Sequence, residues 1–102
     1  MRVTFCERPN GPERLICEAE IVFGEAGPLQ GMKLVGFSVW RGQEGEIFVT
    51  FPARSFGVGG ERRFFDLFRP VEAGSEDPRR VKDWILDEYR RAADGGAVAK
   101  TA

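Results

Sequence analysis

An α+β fold, an antiparallel sheet of about five strands followed by a C-terminal helix packed on it, follows from three features of the sequence. Residues 15–23 alternate between apolar and polar positions at the period of a half-buried strand. Residues 51–70, Phe-Pro-Ala-Arg-Ser-Phe-Gly-Val-Gly-Gly-Glu-Arg-Arg-Phe-Phe-Asp-Leu-Phe-Arg-Pro, hold two hydrophobic runs joined by a glycine-rich turn, the pattern of a hairpin. Near the C-terminus, Asp77-Pro78 precedes apolar residues at three- and four-residue spacing, which is a helix start followed by one apolar helix face.

The elements follow in order. Residues 2–8 form a first strand, closed by the turn signal Pro9-Asn10-Gly11-Pro12. In the second, Leu15, Cys17, Ala19, Ile21 and Phe23 share one face, and Glu18 and Glu20 share the other. A glycine- and proline-rich connection covers residues 24–31. Residues 32–41 make a third strand, apolar throughout, which suits either burial on both faces or an interface. The interface reading makes Phe37, Val39 and Trp40 the seam of a homodimer. Residues 42–45 turn the chain and residues 47–51 return it.

Pro52 cannot donate to a ladder, so it marks a strand end or an edge. A further strand runs from Phe64 to about Phe68 and stops at Pro70, with Gly57, Gly59 and Gly60 at the turn between. Of Phe48, Phe51, Phe56, Phe64, Phe65 and Phe68, at least four are expected in the core, with Phe56 exposed in the loop as a base-stacking residue. In the helix, Asp77 is the N-cap, Pro78 the first helical residue, and Val81, Trp84, Ile85 and Tyr89 the buried face. Residues 1–91 then form one domain, and the small-residue stretch 92–102 a flexible tail.

Composition limits the chemistry. At 102 residues, 42% hydrophobic and 30% charged, the chain has the balance of one globular domain. With no histidine, it lacks Ser-His and Cys-His nucleophilic pairs and histidine acid–base catalysis. A carboxylate or lysine mechanism stays open, but no motif asks for one, so the chain is not expected to be an enzyme or to take a small-molecule substrate. Cys6 and Cys17 are too few for a zinc site without other ligands, and they read as small apolar residues. No metal or other cofactor is expected. No apolar run approaches the about 20 residues that span a bilayer, and the N-terminus has no apolar signal region, so the expected location is cytoplasmic, away from membranes.

Net charge is −1, and no third of the chain is strongly polarised: residues 1–38 hold four basic and five acidic groups, 39–70 five and four, 71–102 six and seven. A basic surface must therefore come from folding or from pairing two copies. The glycine loop is not a phosphate cradle, because it joins strand to strand and lacks Gly-Lys-Ser/Thr. It does bring Arg54 near Arg62 and Arg63, and guanidinium groups at a hairpin tip suit backbone phosphates. The plainer reading of the same arginines is a charged, soluble sheet edge. Arg79, Arg80 and Lys82 at the helix start form a second basic cluster.

The order of these motifs carries a further reading. The opening Met-Arg-Val-Thr, then Phe51-Pro52-Ala53-Arg54, Asp66-Leu67-Phe68-Arg69-Pro70-Val71 and Ile85-Leu86-Asp87-Glu88-Tyr89, resemble the stage V sporulation protein G (SpoVG) family over roughly residues 1–91. That resemblance implies a small bacterial regulator that dimerises through its sheet and binds DNA, in some cases RNA, to influence gene expression, septation or sporulation. It maps the family's basic segment onto Arg54, and its basic helix face onto Arg79, Arg80, Lys82, Arg90 and Arg91. The chain departs from the pattern at Ser55, where a second basic residue is usual, and at Arg69, where the family has histidine. A protein-interaction module of the same fold without nucleic-acid binding is the alternative.

Overall fold

The computed structural model describes residues 1–57, 59–61, 63–95 and 99–100. The chain runs β1 (Arg2–Glu7), β2 (Leu15–Val22), β3 (Lys33–Arg41), β4 (Ile47–Thr50), β5 (Ala53–Phe56), β6 (Arg63–Asp66), α1 (Arg79–Asp94) and β7 (Ala99–Lys100). Four antiparallel strands lie in the order β4-β3-β2-β1, and β5 and β6 form a separate two-stranded hairpin. The helix packs on one face of the larger sheet, giving an α+β architecture.

The alternation in β2 sets the core. Cys17, Ala19 and Ile21 are buried, as their shared face predicts, and they meet Phe5, Phe37, Val39 and Val49 from neighbouring strands. Ile85, with no exposed surface, is the helix's contribution to this cluster. Val81, Trp84, Leu86, Tyr89 and Ala92 pack around it at half-buried positions. Tyr89 meets Phe5 edge-on at 5.6 Å between ring centres, which ties the helix to β1.

Two expectations about the strands change. The chain leaves the sheet after β4: Pro52 ends that strand, and the hairpin β5–β6 projects as an arm rather than adding to the main sheet. Of the six phenylalanines, only Phe51 and Phe68 reach the core; Phe48, Phe56, Phe64 and Phe65 stay exposed. Phe37 and Val39 also differ from the dimer-seam reading. Both are fully buried beneath the helix, so neither has surface left for a partner. Trp40 lies on the opposite face, its Nε1 donating to Thr50 Oγ1 at 2.8 Å.

A bulge in β3 accounts for this orientation. Ala19 pairs with Phe37 but Ile21 pairs with Leu34, so β3 carries one extra residue at the register shift that includes Gly36. Gly36 has φ +105°, and a Cβ there would lie 3.0 Å and 3.2 Å from the Pro52 Cβ and Cγ. The site therefore needs glycine both for its backbone and for the close approach of the arm's base. Gly36→Ala is expected to cost about 1–3 kcal/mol, read as a lower midpoint in urea denaturation.

At the other end, the helix continues through Asp94, three residues into the stretch expected to be a tail. Ala92 packs against the core, and the Gly95 N–H donates to the Arg91 carbonyl at 3.0 Å, closing the last turn. Beyond it, Ala99–Lys100 pair in parallel with Cys6 and Glu7, adding a two-residue strand at the β1 edge. Among the described residues, no helix is long and apolar enough to cross a membrane.

Candidate nucleic-acid interface

The arm is built by register. Ala53 pairs with Asp66, Arg54 with Phe65, Ser55 with Phe64, and Phe56 with Arg63. Residues directly opposite in an antiparallel pair share a face, and faces alternate along each strand. One face therefore carries Arg54, Phe56, Arg63 and Phe65, each arginine paired in register with a phenylalanine. The other face carries Ala53, Ser55, Phe64 and Asp66. The chain reverses at the tip through Gly57 and Gly59, both at positive φ.

On the first face the rings of Phe56 and Phe65 meet edge-on, 5.2 Å between centres, and the Arg54 Cζ lies 5.1 Å over the Phe56 ring. Even so, Phe56 is 47% and Phe65 48% exposed. Beyond them Leu67, Asp66 and Arg69 complete a shallow, mainly apolar recess of about 400 Å³. The base of the arm is fixed to the core. The Leu67 N–H donates to the Pro52 carbonyl at 2.7 Å, and Phe51 and Phe68 pack edge-on against Phe37.

The charges sort into two groups. Among the described residues, neither Arg54 nor Arg63 has a carboxylate within ion-pair distance. The helix arginines are all engaged: Arg79 with Asp77 at 2.8 Å, Arg80 with Glu76 at 3.2 Å, Arg90 with Asp87 at 3.7 Å and Arg91 with Glu88 at 2.9 Å. Lys82 is half-buried, its Nζ lying 5.1 Å over the Phe51 ring. Among the described residues, the expected cluster thus divides into arm arginines without an ion pair, helix arginines paired with neighbouring carboxylates, and Lys82 set against a ring. Arg62 lies outside the described residues.

The helix begins one residue later than expected: Pro78, not Asp77, is its N-cap, and Asp77 precedes the cap. Its Oδ1 accepts the Arg79 backbone N–H at 2.9 Å, and its carboxylate also holds the Arg79 side chain. The side-chain hydrogen bond from Arg79, then the backbone one, keeps the Asp77 carboxyl below its ordinary range. A group held low in the folded state stabilises fully above its unfolded pKa, and that stabilisation is lost as pH falls through the folded value. The Asp77 contribution to stability is therefore expected to be constant near neutrality and to fade only below the ordinary carboxylate range. Asp77→Asn, which keeps an Oδ1 acceptor for the Arg79 backbone N–H, should flatten that part of the acid-unfolding curve.

The arm face sets two exposed rings beside two guanidinium groups. The Cys17 thiol is pushed up to about 12, first by burial and then by the nearby Glu7 carboxylate, so it holds its proton. Cys6 and Cys17 are free thiols, and the strand alternation places them on opposite faces of the sheet. Among the described residues, no three Cys, Asp or Glu side chains gather where a metal ion would fit. Phe65 is the residue that sequence reasoning missed. Once the turn is centred near Gly59, the alternation of Arg63, Phe64 and Phe65 already places it beside Phe56. No protein-family model, curated protein or solved structure matches this chain.

Proposed function

We propose that this chain is a homodimeric, cytoplasmic nucleic-acid-binding regulator of the stage V sporulation protein G type, acting on gene expression, septation or sporulation, and not an enzyme. The observation that carries the reading is the pair of arm arginines, Arg54 and Arg63, exposed and, among the described residues, without carboxylate partners. Free guanidinium groups make forked, charge-assisted hydrogen bonds to phosphate, whereas arginines already paired must first break their own ion pairs. The motif resemblance independently assigns the basic contact to Arg54. Because the whole chain carries a net charge of −1, the attraction is local to the arm and two copies are needed to reinforce it. The outer sheet face around Trp40 and Phe48 is the surface we assign to the dimer, since its aromatic side chains pair across β3 and β4.

The test is fluorescence anisotropy with labelled duplex DNA, single-stranded DNA and RNA at rising salt. With four arm arginines per dimer on phosphates, log K should fall against log salt with a slope of about 3. Affinity that does not change with salt would overturn the proposal. The bare apolar side chains of Phe64, Leu67 and Val71, 63% exposed or more, favour the second reading, a protein-interaction module. In that case replacing Arg54, Arg62 and Arg63 with alanine leaves function intact.

A further inference from the structure

Resting on the nucleic-acid reading, we infer that the arm face formed by Arg54, Phe56, Arg63 and Phe65 binds unpaired bases, so that its ligand is a single strand rather than a duplex. Stacking needs the flat face of a base. In a duplex those faces are covered by neighbouring bases, and only edges and phosphates are presented. Half the side chains on this arm face are aromatic, and both rings keep nearly half their surface open.

The spacing also fits a single strand. Arg54 and Phe56 are two residues apart along β5, about 7 Å at strand rise, comparable to one step between phosphates on an extended strand. Each arginine is paired in register with a phenylalanine, and the Arg54 guanidinium lies over the neighbouring Phe56 ring, so each cross-strand pair supplies one cation for a phosphate and one aromatic side chain. The recess lined by Phe56, Phe65, Asp66, Leu67 and Arg69 continues this surface toward the base of the arm.

A second copy of the chain is a poor occupant for this face. Across a two-fold axis the face would meet itself, bringing Arg54 and Arg63 of one copy against the same residues of the other. None of the four register residues of that face is acidic, and Asp66 in the adjoining recess makes no ion pair with either arginine among the described residues, so the four positive charges would meet unpaired.

The experiment compares a fluorescein-labelled oligothymidine with a duplex of the same length, using the full chain and two double variants. Phe56→Leu with Phe65→Leu removes the rings; Phe56→Tyr with Phe65→Tyr keeps them. Expected are tighter binding of the single strand than of the duplex, a loss on the order of ten-fold or more in the leucine variant, and retention in the tyrosine variant. The salt slope should be unchanged in both, because every guanidinium remains. On wild-type protein, the ring protons of Phe56 and Phe65 should shift in NMR spectra on adding oligothymidine. Binding of duplex as tight as single strand, with the leucine variant unaffected or the ring protons unmoved, overturns the inference and leaves the nucleic-acid reading standing. Absence of binding to both ligands removes both.

Discussion

Replacing Phe37 by alanine is expected to remove about 3–5 kcal/mol of folding stability. Phe37 has no exposed surface, and its ring meets Phe51 at 5.7 Å and Phe68 at 5.4 Å, both edge-on. Alanine leaves a cavity where sheet, helix and arm base converge, and forfeits both ring contacts. A domain of this length has about 5–15 kcal/mol in total, so the loss is a large fraction. Thermal unfolding should show a midpoint lower by more than about 10 °C. Phe56→Ala provides the contrast. That ring is 47% exposed and outside the core cluster, so its removal should cost less than about 1 kcal/mol. Equal losses for the two would mean that the arm is part of the cooperative core.

The second large effect concerns binding. Because both protomers of the dimer lose two arginines, Arg54→Gln with Arg63→Gln is expected to weaken nucleic-acid binding about 10,000-fold at low salt, at roughly 1.5 kcal/mol for each charge-assisted hydrogen bond lost. The slope of log K against log salt should fall by about one for each phosphate contact removed. Stability should hardly move, because both residues are exposed and, among the described residues, neither has an ion pair to lose. Binding and stability are thereby separated: the core phenylalanine governs folding, and the arm arginines govern the ligand.

Much of the fold was legible because period and punctuation set it locally. The alternation from Leu15 to Ile21 could bury only one face, and Asp77-Pro78 could begin only a helix. Pro52 was legible as a strand end, yet nothing in the local pattern says whether the strand after it rejoins the main sheet or departs as an arm. That single ambiguity is why Phe64 and Phe65 were expected to help fill the core, whereas Phe56 is exposed as expected. The facing of Phe37 and Val39 was hidden for a different reason. β3 is apolar on both sides, and the bulge that includes Gly36 shifts its phase. The site was half visible. Glu76 and Arg80 four apart, Asp87 and Arg90 three apart, and Glu88 and Arg91 three apart are spacings at which opposite charges pair on a helix. Those spacings already marked Arg80, Arg90 and Arg91 as engaged, and weighing them would have shifted the expected contact toward the arm.

The central claim is that available arm cations, rather than paired helix cations, hold the nucleic acid. The most direct test sets the Arg54→Gln/Arg63→Gln protein beside one in which two helix pairs are neutralised without changing net charge: Arg79→Gln with Asp77→Asn, and Arg80→Gln with Glu76→Gln. Both are measured by anisotropy on the same labelled single strand across a salt titration. Loss of affinity and of salt slope in the arm variant, with the helix variant close to wild type, is the predicted result. Unchanged binding in the arm variant, or an equal loss in the helix variant, would contradict it.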